Sequence, residues 1–575
     1  MPDNNSQDFE RKLMKKQRII AAASGRMPAD LVLKNATFVN VFSNRLQKAD
    51  IAVCDGIIAG FGDYEGVREV DMTGKVVCPG LLDGHIHLES SLVAPVEFVK
   101  AVIPHGTTTV ITDPHEIANV MGTEGIDYML QATKGLPVDV RFMLPSCVPS
   151  TPLDESGAVL SYQDITEYYE NPRVLGLAEM MDFYGVIHGD DQCILKILDA
   201  QAHHRKIDGH GPGLSNKDLN AYISAGVYTD HECSTLEEAI EKLERGQMIM
   251  IREGTAAHNL DALIPLLKTQ EYGDRCILCC DDKHPSDLLH NGHIDHIIKR
   301  AVKEGADPII ALKAGSLNTA KHFRLNDRGA IAPGYLADFM VVDNLADFNV
   351  SQVYKEGELV YNEGRLSQVD IPFIEADLNE KAHDTFRNGA FRPEDFQEDR
   401  QRAVIGTVDG EIITTNQGFS DHIDLEKDIL KVAVIERHHG TGHIGIGYLK
   451  GYGLRSGAVA TSFAHDSHNI IAVGTSEQDI AAAVNRLTEN HGGIVVEKGG
   501  RIEAEVMLNI AGLMADEPLP VVNEKLEKAK EKALAAGVNP GIDPFMTLSF
   551  LSLPVIPELR LTTRGVFDVS QQKYI

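Results

Sequence analysis

Hydrophobic and polar positions follow two rhythms along this chain. From residue 76 to residue 282 short apolar runs recur, and most of them end on a histidine or an acid. Eight runs read as strands: 76–82, 107–112, 141–144, 174–178, 207–209, 227–230, 248–252 and 277–280. Between most pairs lies a stretch of helical periodicity, as at 96–103, 191–204, 236–245 and 260–269. Alternating β and α units predict parallel strands joined by crossover helices. Eight of them predict an α/β fold with a closed (β/α)8 barrel of the TIM type, which gathers its site from scattered strand ends. The run at 141–144 carries no ligand-type residue and leads into a Pro- and Ser-rich loop at 145–157.

Short alternating runs fill 30–71, with turn residues at Asp55-Gly56 and at 60–63, and similar runs return at 339–342 and 353–360. These flanks are expected to pair into one small β-sandwich domain, 30–76 with 325–375, around a barrel of 77–324. Residues 1–29 read as an N-terminal helical segment. Its basic stretch, Lys12 to Arg18, precedes only five apolar residues, 19–23, against the about 7–15 of a secretory leader. Residues 376–402 are charged and weakly periodic, a linker with some helix. Strand patterning resumes at 404–405, 412–413, 432–435, 459–460 and 470–473, with helices at 477–489 and 524–536. Residues 376–575 are therefore expected to form a C-terminal α+β domain.

Composition narrows the partners. A chain of 575 residues exceeds one core, and its 43% hydrophobic and 24% charged content is that of a soluble globular protein. A net charge of −30 argues against a nucleic-acid polymer or an acidic membrane as partner, since either needs a basic face. No run approaches the about 18 apolar residues of a membrane span. Eight cysteines, several inside predicted strands, make no disulfide framework, so a cytoplasmic setting is expected. Cys276-Ile277-Leu278-Cys279 has zinc-ligand spacing, but it lies in an apolar strand and has no second pair to complete four sulfur ligands, so it reads as core.

The chemistry sits at the strand ends. His85 and His87 are two apart on an extended segment and project from one face, so both imidazoles reach one ion. Glu179 closes an apolar run, where a carboxylate is costly to bury unless it is paired or bound to cations. A bridge between two metals removes that cost. His210 and His231 each end a strand, as ligands of a second ion would. Asp281 and Asp282 close the eighth run and are expected to point opposite ways, the first toward metal and water, the second toward a substrate nitrogen. Together His85, His87, Glu179, His210, His231 and Asp281 make the expected metal set. The cluster His465-Asp466-Ser467-His468-Asn469 reads either as a loop over the barrel mouth or as a solvent-facing polar turn.

That ligand order, with Asn318-Thr319-Ala320 and GAIAPGYLAD at 329–338, resembles the amidohydrolase superfamily. Within it the chain is similar to the family of bacterial adenine deaminases, through PGLLDGHIHLESS (79–91), TVITDPHEIANVMG (109–122), GLAEMMD (176–182), DGHGPGL (208–214), IREGTA (251–256), CDDKHP (280–285), AHDSHNI (464–470) and FLSLPVIP (550–557). The resemblance covers nearly the whole chain. It implies hydrolytic deamination of adenine to hypoxanthine and ammonia by a metal-activated hydroxide, with two divalent ions, Mn or Fe, and a homo-oligomer, a dimer being the guess. Asp281 would then take the proton from the attacking oxygen. Asp282, Glu116, Glu232 and Glu253 are the candidates for protonating the leaving ammonia or holding ring nitrogens, and Met180 and Met181 for an apolar purine slot. A cyclic amidohydrolase of hydantoinase or dihydroorotase type is the rival activity, though a lysine normally takes the place of Glu179 there. A non-catalytic binding protein on the same fold is the rival class.

Overall fold

The computed structural model describes residues 3–575; Met1 and Pro2, at the start of the expected helical segment, lie outside the described residues. That segment is a helix over Asp3–Ala23.

The apolar runs form strands because their side chains are buried on both faces. β1 (Leu81–Ile86), β2 (Thr107–Thr112), β3 (Asp139–Leu144), β4 (Val174–Met180) and β5 (Lys206–Gly209) make one parallel sheet in that order. β6 (Thr229–Asp230), β7 (Met248–Arg252) and β8 (Cys276–Cys279) make a second parallel sheet. Their edges meet. The backbone N–H of Asp281 donates to His85 O at 2.9 Å, beside β1, and that of Tyr228 donates to Ile207 O at 3.2 Å, beside β5. Leu82, Ile111, Met143, Ala178, Met250 and Ile277 pack together in one apolar layer drawn from both sheets.

Three expected strands differ. The run 76–82 is two strands, because the chain changes sheets at Gly80: Val76–Pro79 pairs antiparallel with Phe339–Val342, and β1 starts afresh at Leu81. Gly80 donates its N–H to Asp338 O at 3.0 Å, and a Cβ there would sit 2.4 Å from Thr108 Oγ1. The run 227–230 keeps only Thr229–Asp230 as a strand, paired with Met248 and Ile249, while the Asp230 carboxylate takes the Lys242 ammonium and the Glu232 N–H. The pair 412–413 is not a strand; Ile412 O accepts from the buried Arg560 guanidinium at 2.8 Å, and pairing begins with Thr414–Ser420.

The flanks share one sheet. Ala29–Asn40 pairs with Arg45–Cys54, Gly66–Asp71 and Val76–Pro79, and the last of these carries the ladder on to Phe339–Val342. Downstream, eight strands between Arg402 and Met507 form a separate sheet covered by the helices Glu477–Glu489 and Leu519–Ala535. The stretch read as a linker contributes to that unit's core, where Phe386 and Phe396 are buried with Ile435 and Ile470. The C-terminal unit grips the strand-end side of the first two sheets. Ala515 exchanges backbone bonds with Leu92 O (2.9 Å) and the Ala94 N–H (2.8 Å), while Asn469 Nδ2 donates to Glu155 O at 2.6 Å. Among the described residues no helix is long and apolar enough to cross a membrane.

Candidate metal centre

Six side chains from five strand ends converge. His85 and His87, on and just beyond β1, hold their rings 4.9 Å apart. Near the end of β4, Glu179 splits its carboxylate between two pairs of imidazoles. Its Oε1 lies 3.5 Å from His85 Nε2 and 3.2 Å from His87 Nε2, and its Oε2 lies 2.8 Å from His210 Nδ1 and 3.2 Å from His231 Nε2. Asp281 Oδ1 closes the first pair, at 3.1 Å from His87 Nε2 and 3.7 Å from His85 Nε2. A left-handed backbone at Asp281 (φ 59°) ends β8 and turns the carboxylate back toward β1; aspartate tolerates that conformation better than most residues.

Burial and charge shape this cluster together. Burial pulls the His87 imidazole down, yet the Asp281 and Glu179 carboxylates outweigh it and hold it well above the ordinary histidine range. His231 is pushed up to about 9, burial again being outweighed by Glu179. His210 also stands at about 9, with Glu232 and Glu179 overcoming burial. Glu179 is held well below the usual carboxylate range, because its imidazole neighbours, His231 first, outweigh the cost of burial. Ionised carboxylates ringed by nitrogen donors suit divalent transition metals. His85 Nε2 is buried with no hydrogen-bond partner, as a donor aimed at an ion would be. The residues fit such a cofactor.

Around the donors runs a supporting layer. Asp83 Oδ1 accepts from the backbone N–H of His85 (3.1 Å) and of Cys280 (3.2 Å), so one carboxylate ties the ends of β1 and β8 together. Its Oδ2 lies 3.0 Å from His293 Nε2, and Thr107 Oγ1 lies 2.8 Å from His293 Nδ1.

The other predicted residues divide. Asp282 accepts from Ser90 Oγ at 2.5 Å, apart from the histidines that hold Asp281, and burial followed by Asp281 repulsion raises its pKa. Glu232 stands 3.3 Å from His231 Nε2 and 3.5 Å from His210 Nδ1. Glu116 lies beside His115, with His115 Nε2 3.5 Å from its Oε1. Glu253 is not brought to the cluster: it is paired with Arg300 above an outer hollow lined by Lys283, Asp287 and His296. Neighbours on a strand face opposite ways, and here it is Arg252 that faces inward. Met180 and Met181 are buried in the main hydrophobic core with Tyr222 and Val186, and neither lines the hollow beside Glu116.

Sequence reasoning passed over three residues. Arg252 is buried and donates to Asp281 Oδ2 at 2.5 Å and to Glu232 Oε2 at 3.0 Å, tying the two acids together. Its only mark in the sequence is its place at the end of β7; the face it takes comes from packing. Asp113 and His115 join the cluster through His115 Nδ1, 2.9 Å from Asp113 Oδ2 and 3.8 Å from Glu179 Oε1. Both belong to the segment Asp113-Pro114-His115-Glu116 that follows β2, so their strand-end position was their signal. The cluster at 465–469 is buried throughout, so it is not a solvent-facing turn; His465 Nδ1 lies 3.2 Å from Glu116 Oε1 and His468 Nε2 contacts Glu116 Oε2. Glu116 is in consequence held well below the usual carboxylate range, with His468, His465 and His115 outweighing its burial.

Residues 76–360, which carry both parallel sheets and the converging histidines and carboxylates, match the Amidohydrolase family. Residues 407–573 match the Adenine deaminase C-terminal domain. The chain is 45% identical over 97% of its length to an adenine deaminase of Desulfatibacillum aliphaticivorans, covering 99% of that protein. It is equally 45% identical to adenine deaminase 2 of Carboxydothermus hydrogenoformans (96% of this chain, 97% of that protein) and to an adenine deaminase of Kosmotoga olearia (97% and 98%). The chain belongs to the adenine deaminase family of amidohydrolases.

Proposed function

We infer that this protein is a metal-dependent hydrolase that deaminates adenine, giving hypoxanthine and ammonia. The observation that carries the reading is the 45% identity to adenine deaminases over almost the entire chain, both matched regions included. A cyclic amidohydrolase is disfavoured by Glu179, where a lysine is usual, and by the C-terminal unit.

The cofactor we propose is a pair of divalent ions, Mn or Fe. One would be held by His85, His87 and Asp281, the other by His210 and His231, with Glu179 between them. The support is the split of the Glu179 oxygens between the two histidine pairs. When bound, such ions act as Lewis acids that make water nucleophilic at neutral pH. Asp281 is placed to accept the proton of the attacking water as its oxygen bonds to the ring carbon bearing the amino group. The C–N bond then breaks; of the two protons the water brings, one completes the departing ammonia and the other ends on the adjacent ring nitrogen of hypoxanthine. Glu116 and Asp282 are the acids we assign to ring nitrogens and to that proton delivery. Glu232, held by Arg252, orients His210 and His231.

In the architecture we propose, the two parallel sheets close into one (β/α)8 barrel over 77–324. The support is the pair of backbone bonds that join their edges, Asp281 to His85 and Tyr228 to Ile207. A small β domain from 30–76 and 325–375 and a C-terminal α+β domain from 376–575 flank it. All eight cysteines are free, which supports a cytoplasmic setting.

Ammonia release from adenine, adenosine, cytosine and a hydantoin by the metal-loaded protein tests the reading. Release from adenine alone is expected, and its loss on chelation. Turnover of adenosine at a rate like that of adenine would refute the preference for the free base, and turnover of the hydantoin in place of adenine would refute the activity.

A further inference from the structure

We infer that His465 and His468, carried by the C-terminal unit, are positioning residues of the active site that act through Glu116. The inference rests on the deaminase reading and adds to it a role for the second half of the chain. Both Glu116 oxygens meet an imidazole from that half: Oε1 lies 3.2 Å from His465 Nδ1, and Oε2 contacts His468 Nε2. All three side chains are buried. A carboxylate with an imidazole against each oxygen is confined in orientation, and Glu116 lines a hollow together with Ser90, His284 and Phe463.

The segment that presents the two histidines is itself rigidly built. The His465 N–H donates to Ser549 O at 3.0 Å, and Ser552 Oγ donates to His465 O at 2.9 Å. His438 Nε2 lies 2.7 Å from Ser467 O. The Phe550 ring stacks on His465 with centroids 4.7 Å apart and planes 13° from parallel. Arg437 is fully buried, and its guanidinium donates to His468 O, to Ala511 O at 2.8 Å and to Thr385 Oγ1 at 3.0 Å. Burying a cation to hold backbone carbonyls is costly, and the result is one fixed shape for the loop. Supporting contacts of this kind hold an active-site group within the tolerance that chemistry needs.

The test uses full-length, metal-loaded protein with adenine as substrate. His468→Ala is expected to lower kcat about 100-fold, the scale of a misplaced acid–base group, with KM little changed. Metal content and the thermal midpoint should stay as in the unmodified protein. In a Glu116→Gln background the same substitution should cost nothing further, because residues that act through one group are not additive. His468→Gln keeps a donor of similar reach and should recover kcat by about tenfold over His468→Ala; it carries the test if the alanine variant folds poorly. His465→Ala should behave as His468→Ala does. Unchanged kcat in both alanine variants, losses that multiply in the Glu116→Gln background, or a loss fully explained by missing metal would each overturn the inference. Failure of the deaminase reading would look different: the unmodified protein would release no ammonia from adenine.

Discussion

At the scale of single residues, the adjacent acids after β8 carry different loads because the backbone turns between them. Asp281 sits at φ 59° and faces His85, His87 and Arg252, while Asp282 meets Ser90. Asp281→Asn keeps the shape but removes the charge that the two histidines and Arg252 share, and an amide is both a poorer ligand and no proton acceptor. Its expected effect is a loss of bound metal together with a fall in turnover of at least about 1,000-fold. Asp282→Asn should keep its metals and lose rate or substrate affinity. Metal analysis beside steady-state kinetics separates the two, and metal loss confined to Asp282→Asn would reverse the assignment. The six side chains that converge were legible in the sequence because ligand-type chemistry belongs to the residue itself. Arg252 was not, since an inward-facing arginine is recognised only by the acids it touches.

At the scale of elements, everything depends on how closely β1 and β8 approach. Gly84 allows that approach: a Cβ there would lie 2.4 Å from Ile277 Cγ2, next to the point where His85 O meets the Asp281 N–H. Gly84→Ala should therefore push the strands apart at the metal donors and destabilise the protein by about 1–3 kcal/mol, the usual cost of overpacking a filled core. A lower thermal midpoint and weaker metal retention are the expected readouts. An unchanged midpoint with full metal content would show that the seam is looser than described. Strand and helix rhythm was readable from local period alone. The change of sheet at Gly80 was not, because 76–82 is one unbroken apolar run and only its two different partners, Phe339–Val342 and β2, divide it.

At the scale of the whole molecule, the C-terminal unit roofs the strand ends. It docks through Ala515 on Leu92 and Ala94, and through Asn469 on Glu155. A chain ending at residue 375 would open the hollow beside Glu116 and leave that carboxylate without His465 and His468. Even where such a chain folds and binds metal, adenine turnover should fall by at least about 100-fold. Ammonia release measured per metal-loaded chain is the check, and a full rate from the shortened chain would show that residues 376–575 have no part in the site.

By itself the sequence determined the alternating β and α units, the histidines and acids that end them and the family to which those motifs belong. Each of these is written in local period, in residue chemistry or in unbroken motif. Tertiary structure alone decided which face each acid takes. It turned Glu253 out to Arg300 and Arg252 in to Asp281, tied the ends of β1 and β8 to one oxygen of Asp83, and set His465 and His468 on Glu116. Most of these contacts join residues far apart in the chain, and their geometry comes from how the sheets and the C-terminal unit pack, which no local pattern encodes.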